Sequence, residues 1–546
     1  MDYSDPIGDY AMEAFGIRYL FPYQRLVVSN ILDAVGAEAG SGAEGGGEAP
    51  RNQVVILPTG AGKSLCFQLP AALCPGPTVV VYPLLGLMAD QARRLSASGV
   101  GAAVLKGGMT AGERETVFGS IADGSARIII VNPESLSAPG VSARLANAKV
   151  SHFVIDEAHC VAEWGDTFRP AYLGLGDAIR AIAPGVVTAF TATASPPILE
   201  RMTRVLFGGL PYKLVSGGPD RPNIRYEVRP SLSMTRSLRE AVATAARPAI
   251  VFAASRPGVQ ILAEDLRGAF PGIDARFYHA GLDKPERSAL EEWFMASNEG
   301  ILCSTCAYGM GMDKPNVRTV IHFGQPGSVE AYMQESGRAG RDGAPCDAIL
   351  IRKATRGDYG LAGLPGTLGL PVPPEAENAP GGLGKKADGS TEPPSSALSA
   401  SRAARMKEYA EGDYGCRRTF LLKALGADGA EAVACDACDR CEGSDGRRAP
   451  GSEEIIGVAR RHARRFTARE AAGFLIGAHG SPTAARLGEL KQWRLDEAEE
   501  AIRGAVELGL LASGRRFPWK GRLTLSREAR RPRLSRRRLP GPSPVS

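Results

Sequence analysis

No stretch of this 546-residue chain stays apolar for long enough to cross a bilayer. The opening residues, MDYSDPIGDY, are acidic and polar, where a secretory leader would be basic and then apolar. Strong net charge is missing too, since 65 Lys and Arg against 59 Asp and Glu leave only +6. These absences argue against a membrane-spanning or secreted protein and set the expectation of a cytoplasmic one. Ten cysteines in such a setting read as reduced thiols or metal ligands, because cytoplasm does not sustain disulfides. The length exceeds what one core fills, and about 100–200 residues per domain suggests three or four. The charge is unevenly spread, with a dense basic run from Arg527 to Arg538.

What is present centres on Gln53 to Cys66, QVVILPTGAGKSLC. Val54 to Leu57 is a short, β-branched apolar run and predicts a buried parallel strand. A Gly-rich turn, Thr59-Gly60-Ala61-Gly62, leads into Lys63-Ser64 and a helix. That order makes a phosphate-binding loop: glycine lets backbone N–H groups converge on an anion, and the helix start adds partial positive charge. Lys63 would reach the β- and γ-phosphates of ATP, and the Ser64 hydroxyl would hold Mg²⁺. The strict form has glycine where this chain has Leu57.

Residues 10–36 predict a helical entry with Leu26, Val27, Ile31 and Leu32 on one face. Gln24 is either a surface glutamine or an amide that pairs with the adenine edge. Residues 37–50, AEAGSGAEGGGEAP, are low in complexity and predict a mobile loop. Apolar strands then alternate with helices: Thr78–Tyr82, Arg127–Val131, His152–Ile155 and Val186–Phe190, with helix at Leu87–Leu95. The alternation restarts at Ala249–Phe252, with helix at Val259–Leu266 and strands near Phe277 and at Gly300–Cys303. Two parallel sheets covered by helices follow, with functional groups at the strand C-termini.

Asp156-Glu157 close an apolar strand and continue into Ala158-His159. Beside a phosphate loop they make the second half of an ATPase site, Asp156 for Mg²⁺ and Glu157 to polarise the attacking water. Arg338 and Arg341, three apart, would share a face of a helix and reach the γ-phosphate from the second lobe. Two α/β lobes that close on ATP in this way are the layout of a motor. Trp164 and Phe168, beside Arg169, either fill the core or stack on bases and sense nucleic acid.

Taken together, Thr59–Ser64, Asp156–His159, Thr191-Ala192-Thr193 and Gln334–Arg341 resemble the superfamily 2 helicases. Finer features narrow the resemblance to the RecQ DNA helicases. They are Phe15-Gly16 with Gln24, Trp164-Gly165 through Phe168-Arg169-Pro170, Tyr278–Leu282, Gly309–Pro315, and Cys416-Arg417-Arg418 with its cysteines. It extends over about residues 10–445. The resemblance implies two tandem RecA-like lobes and a small helical zinc-binding module; beyond it, three helical stretches and a basic, Trp-containing segment over Ser452–Leu525 suit a winged-helix-like domain. The resemblance also implies ATP-driven unwinding of duplex DNA with 3′-to-5′ polarity in repair and recombination, and location at the nucleoid in a bacterium. Single-stranded and duplex DNA are the implied partners, a single-strand-binding protein is a further candidate, and the expected state is a monomer. Departures are Phe21, where the family has arginine before the proline, and Asp166-Thr167, where it has His-Asp.

Cys435, Cys438 and Cys441, at two-residue spacings, with Cys416 upstream, supply four thiolates. The spacing suits structural Zn²⁺ and also occurs around iron–sulfur clusters. The Cys-Pro that follows in the latter is absent, and the resemblance implies zinc. Cys66, Cys74, Cys160, Cys303, Cys306 and Cys346 read as packed thiols. Beyond a second short linker, Thr467 and Glu470 predict a capping box, and Leu487, Leu490, Trp493, Ile502, Val506 and Leu508 predict packed helices. Phe517–Arg522 reads as a basic, aromatic wing, though a small helical protein-binding domain fits the same residues. Arg530–Arg538 is either a phosphate-contact segment or a solvated tail.

The expected domains are therefore a first lobe over 1–215 and a second over 216–355. A Pro/Gly-rich linker covers 356–400, with structure resuming at Arg402, and the zinc module covers 401–445. A winged-helix-like domain covers 452–526 and a basic tail 527–546.

Overall fold

In the computed structural model the described residues are 5–39, 50–58, 60–165, 169–306, 314–359, 395–412, 414–427, 429–433, 435, 437–443, 448–478 and 488–530. Residues 40–49, the core of the expected loop at 37–50, lie outside them. So do Thr59, the 166–168 segment with Phe168, most of 356–400, Leu487 and the tail beyond Arg530.

The first sheet has seven strands: β1 Asn52–Ile56, β2 Thr78–Val81, β3 Ala102–Leu105, β4 Ile128–Val131, β5 His152–Ile155, β6 Val186–Thr191 and β7 Tyr212–Ser216. They lie in the order β3-β4-β2-β5-β6-β1-β7, and every pairing is parallel. Their sequences explain this. TVVV, IIIV and HFVI are buried along their whole length, as strands covered by helices on both faces must be. One face packs Val79, Ile129, Phe153 and Val187, and the other packs Val55, Val80, Ile130, Val154 and Phe190.

The second sheet has six: β8 Ile224–Ser231, β9 Ala249–Phe252, β10 Ala275–Tyr278, β11 Ile301–Ser304, β12 Thr319–Phe323 and β13 Cys346–Lys353. The order is β10-β11-β9-β12-β13-β8, again parallel throughout. One face continues without a break into the cysteine module, where Met406, Tyr409, Phe420, Leu421 and Cys438 share a core with Tyr226 and Tyr332. The C-terminal part folds as helices Ser452–Arg461, Ala468–Ile476 and Leu495–Glu507, followed by an antiparallel hairpin, β14 Leu511–Ser513 with β15 Leu523–Leu525. Three helices and a hairpin in that order have the form of a winged helix. The expected capping box is present, with Thr467 Oγ1 and Glu470 each bonded to the other's backbone N–H. Leu490, Trp493 and Ile502 are buried, and Val506 and Leu508 pack against them.

Four expectations need correction. The entry segment is two helices, Pro6–Phe15 and Pro22–Ala39, broken at Gly16, whose φ of +66° a residue with a side chain adopts only at a cost. Within the second helix Leu26 faces solvent, and Val27, Val28 and Ile31 are the buried set. The structure expected from Arg402 is part of a longer helix, Ser395–Glu411, whose Leu398 packs on the first lobe. Cys306 is exposed, whereas the other five scattered cysteines are buried.

Candidate functional site

The two halves of the site meet at the C-terminal edge of the first sheet. β1 runs into a turn in which Gly60 has φ +87° and Gly62 +76°, in the left-handed region that favours glycine. Helix Lys63–Leu73 starts directly afterwards, with Gly62 at its cap and no side chain capping it. Its first N–H groups thus face the cradle, and the Ser64 hydroxyl stands in the first turn. A Cβ on Gly62 would fall 2.5 Å from Gln24 Nε2, so that glycine is also required for packing.

Gln24 is not a surface residue. Its Nε2 donates to the Ala61 carbonyl at 3.0 Å and its Oε1 accepts from the Phe21 N–H at 2.9 Å, which fixes the loop to the entry helix. The Tyr23 hydroxyl reaches the same Ala61 carbonyl at 3.3 Å. That contact was not read from the sequence, where a tyrosine next to Gln24 was its only sign.

At the end of β5, Asp156 and Glu157 stand half-buried beside Lys63. Lys63 Nζ lies 3.6 Å from Glu157 Oε1, and His159 Nδ1 lies 3.5 Å from Glu157 Oε2. Lys63 Nζ is buried, and beyond its ion pair with Glu157 it makes no hydrogen bond among the described residues, which leaves donors for an anion. Burial, and then the Glu157 charge, push Asp156 up to about 7. Glu157 is held below the usual carboxylate range: burial is the largest influence and opposes ionisation, but Lys63, His159 and Arg338 together outweigh it. Glu157 has φ +49°, a left-handed backbone that a residue with a Cβ enters at a cost of about 1–2 kcal/mol.

His159 continues the chain of contacts. Its Nδ1 pairs with Thr191 Oγ1 at 3.1 Å, and that hydroxyl donates to the Thr193 carbonyl at 2.9 Å. Thr191-Ala192-Thr193 is thus tied to the acidic pair through one imidazole, a link the sequence gives only as two separate motifs.

Arg338 and Arg341 arrive from the second lobe. They do not share a helix face, because helix Val329–Ser336 ends at its cap, Gly337, and the arginines follow on turns. The arrangement still serves the site. Arg338 is buried close enough to Glu157 to lower its pKa, and the Arg341 Cδ lies 3.9 Å from where a Cβ would stand on Gly60. The structure thus brings Lys63, Asp156, Glu157, Arg338 and Arg341 together, with Ser64 beside them.

Asp156 and Ser64 offer a carboxylate and a hydroxyl, the hard oxygen donors that Mg²⁺ takes. The four thiols of Cys416, Cys435, Cys438 and Cys441 lie within 4.8 Å of one another, and the Cys416 and Cys438 sulfurs are 4.0 Å apart. Zn–S bonds of about 2.3 Å in a tetrahedron place sulfurs about 3.8 Å apart, so the cluster fits zinc closely. Arg417 braces it through a buried pair with Asp439, at 2.8 and 3.0 Å, and Arg418 holds the Pro222 and Ile224 carbonyls of the second lobe.

Trp164 and Arg169 are placed less openly than a sensor reading expects. Trp164 ends helix Cys160–Trp164, is half-buried against the first-lobe core, and meets Tyr172 edge-on at 6.1 Å. Arg169 pairs with Glu134 at 2.7 and 2.5 Å, donates to the Pro83 carbonyl, and lies over the Tyr172 ring. At the C-terminal hairpin Phe517 is 93% exposed and Trp519 is exposed as well, with Arg464 over its ring.

Comparison with known proteins agrees with this geometry. The DEAD/DEAH box helicase family matches residues 22–202, the helicase conserved C-terminal domain 234–343, and the RecQ zinc-binding family 385–442. The chain is 38% identical over 302 residues to the ATP-dependent DNA helicase RecQ of Pasteurella multocida, covering 55% of this chain and 47% of that protein. It is 37% identical over 315 residues to the probable ATP-dependent DNA helicase RecS of Bacillus subtilis, covering 57% and 62%. The chain therefore spans about half the length of the first of these relatives. Two solved structures share the fold, each with a TM-score of 0.51. One is the DUF1998 helicase MrfA bound to DNA, 21% identical, covering 65% of this chain and 52% of that one. The other is the DEAD-box helicase Mss116 bound to ssRNA and UDP-BeF, 19% identical, covering 65% and 74%. With its paired parallel lobes, converging Lys63, Asp156 and Glu157, and four-cysteine module, the matched span carries the helicase domains and the RecQ zinc-binding domain and is similar to the RecQ helicases.

Proposed function

We propose that this chain is an ATP-dependent DNA helicase that moves on single-stranded DNA with 3′-to-5′ polarity and unwinds duplex in repair and recombination. The observation that carries the reading is the meeting of Lys63, Asp156 and Glu157 from one lobe with Arg338 and Arg341 from the other. Lys63 and the loop N–H groups bind the phosphates. Glu157 is kept ionised and aims a water at the γ-phosphate, and the two arginines stabilise charge as the phosphoryl group departs. Ser64 and Asp156 would hold Mg²⁺, which would supply charge neutralisation at the phosphates. Because the arginines belong to the second lobe, hydrolysis needs closure, and product release permits opening.

Cys416, Cys435, Cys438 and Cys441 would hold zinc, which would supply a structural cross-link beside a core that is continuous with the second sheet. Trp164, Phe168 and Arg169, which follow the acidic pair in sequence, link DNA occupancy to hydrolysis. The exposed, basic and aromatic hairpin around Phe517 and Trp519 contacts DNA, since aromatic faces stack on bases whatever their sequence. The similarity in name and sequence to RecQ relatives supports DNA as substrate. Strand displacement on 3′-tailed, 5′-tailed and forked duplexes, with RNA duplexes alongside, tests the reading. We expect unwinding of 3′-tailed and forked DNA that requires ATP. Preference for 5′ tails, or for RNA, overturns it.

A further inference from the structure

Three parts of the chain that are distant in sequence meet at the guanidinium of Arg402. Arg402 lies in helix Ser395–Glu411, which leads into the cysteine module. Its Nη2 donates to the Glu163 carboxylate of the first lobe and to Ser328 Oγ at 3.0 Å in the second. Its Nε donates to Glu330 Oε2 at 3.3 Å, also in the second lobe. The Ser195 hydroxyl of the first lobe in turn donates to the other oxygen of Glu330. Side-chain exposures of 17%, 20% and 6% for Arg402, Glu163 and Glu330 show a junction largely out of solvent, where such contacts escape most screening. Burial works against the Glu330 charge, but Arg402 and then Ser195 hold its pKa below the usual carboxylate range.

The surroundings show that the junction crosses the cleft and does not merely decorate one lobe. One turn before Arg402, Leu398 packs on Ala162, Ala194 and Ile198 of the first lobe. The cysteine module makes a second crossing at Gly426, where a Cβ would stand 2.9 Å from Pro196 Cγ. Each partner of Arg402 is joined to a functional element. Glu163 stands in the helix between His159 and Trp164. Ser195 follows Thr193, the residue whose carbonyl holds Thr191. Ser328 and Glu330 open the helix that delivers the chain to Arg338 and Arg341.

We infer that Arg402 is a positioning residue: it latches the helix of the cysteine module across the cleft, so that the second lobe presents its arginine pair to the acidic pair of the first. Arg402 touches neither nucleotide nor reacting atoms, and acts only through Glu163, Ser328 and Glu330. The inference rests on the proposed ATPase site. It predicts a separation of kinetic constants: closure sets the rate, whereas the contacts that bind ATP in the first lobe are untouched.

The test is steady-state ATP hydrolysis with saturating single-stranded DNA. Arg402→Gln keeps length and removes charge, and should lower kcat about tenfold while moving KM for ATP less than about twofold, a coupling of ordinary size between sites. Glu163→Gln leaves the cysteine module alone and should lower kcat by about threefold, within the range of couplings between contacting residues. Combining the two should cost no more than Arg402→Gln by itself, since both break one contact. Arg402→Lys should recover part of the rate, because it restores a charge but not the fork of donors. Zinc content and thermal midpoint are read on every variant. Additive effects, or an unchanged kcat in Glu163→Gln, overturn the latch whatever happens to the fold of Arg402→Gln. If Lys63→Ala hydrolyses ATP as fast as the parent, the ATPase reading fails. If Lys63→Ala is inactive and the latch variants are as fast as the parent, only the latch fails.

Discussion

The two lobes repeat one architecture, and the same turn in each has been given opposite treatment. In the first, β1 passes through left-handed Gly60 and Gly62 into a helix that begins without a side-chain cap. In the second, β8, which holds the place of β1 in the sheet order, passes into helix Met234–Thr244, where Ser233 Oγ accepts the Arg236 N–H at 3.3 Å and Glu500 Oε1 accepts the Met234 N–H at 3.2 Å. The first helix start is therefore open to an anion, and the second has satisfied two of the corresponding donors. Chemistry in this fold is a property of the turn. The sheet positions it, and the second lobe keeps the sheet while contributing only cations from a later turn.

The largest effect that sharpens this contrast concerns what each lobe needs to fold. The first sheet has its own two-sided core, whereas one face of the second is shared with the cysteine module. Structural zinc contributes roughly 10–16 kcal/mol in small metal domains. Chelation or Cys438→Ser should therefore raise hydrogen exchange in β8, β12 and β13 well before β2, β4 and β5. Mass spectrometry should find about one zinc per chain in colourless protein. Brown protein containing iron, or loss of protection spread evenly over both sheets, breaks the comparison.

Next in size is the division of the site itself. Lys63→Ala in one lobe and Arg341→Ala in the other should each lower ATP turnover by about 10³-fold or more, while single-stranded DNA is still bound through contacts spread over the chain. Should Arg341→Ala hydrolyse at the parent rate, the second lobe is no partner in chemistry.

A smaller effect belongs to Trp164. Trp164→Ala should leave basal hydrolysis in place and reduce DNA stimulation by about tenfold, together with unwinding, within the usual range of coupling between sites. A fall in thermal midpoint with stimulation intact would assign the ring to the core of the first lobe.

The smallest prediction tests the capped turn. Ser233→Ala should cost about 1 kcal/mol of stability, the usual value of an N-cap, and leave KM for ATP unchanged. A change in nucleotide affinity from this site alone would show that the second turn still takes part in binding.

What the sequence made legible follows from how each feature is encoded. The strands of the first lobe are continuous β-branched runs, and the phosphate loop and acidic pair are local in sequence, so both were readable. The four cysteines were readable for the same reason. The geometry of Arg338 and Arg341 was not, because spacing alone carries no sign that the helix stops at Gly337. Leu26 misled because it is as apolar as Val27, and only the packed partner decides which faces inward. Gln24 turned out to bond within the loop, since a partner as far along the chain as Ala61 leaves no pattern. The Arg402 junction was invisible for a stronger reason: Glu163, Ser195, Glu330 and Arg402 fall in four separate segments and form no motif.

The backbone of Glu157 limits how this protein can be improved. Its left-handed conformation is one that glycine adopts freely, so Glu157→Gly should relieve up to about 1 kcal/mol of backbone strain while deleting the carboxylate proposed to aim the water. A library selected for heat resistance alone would tend to collect that change and return inactive protein. Laboratory evolution of a hardier variant therefore has to score turnover in every round, because at this residue endurance and catalysis pull in opposite directions.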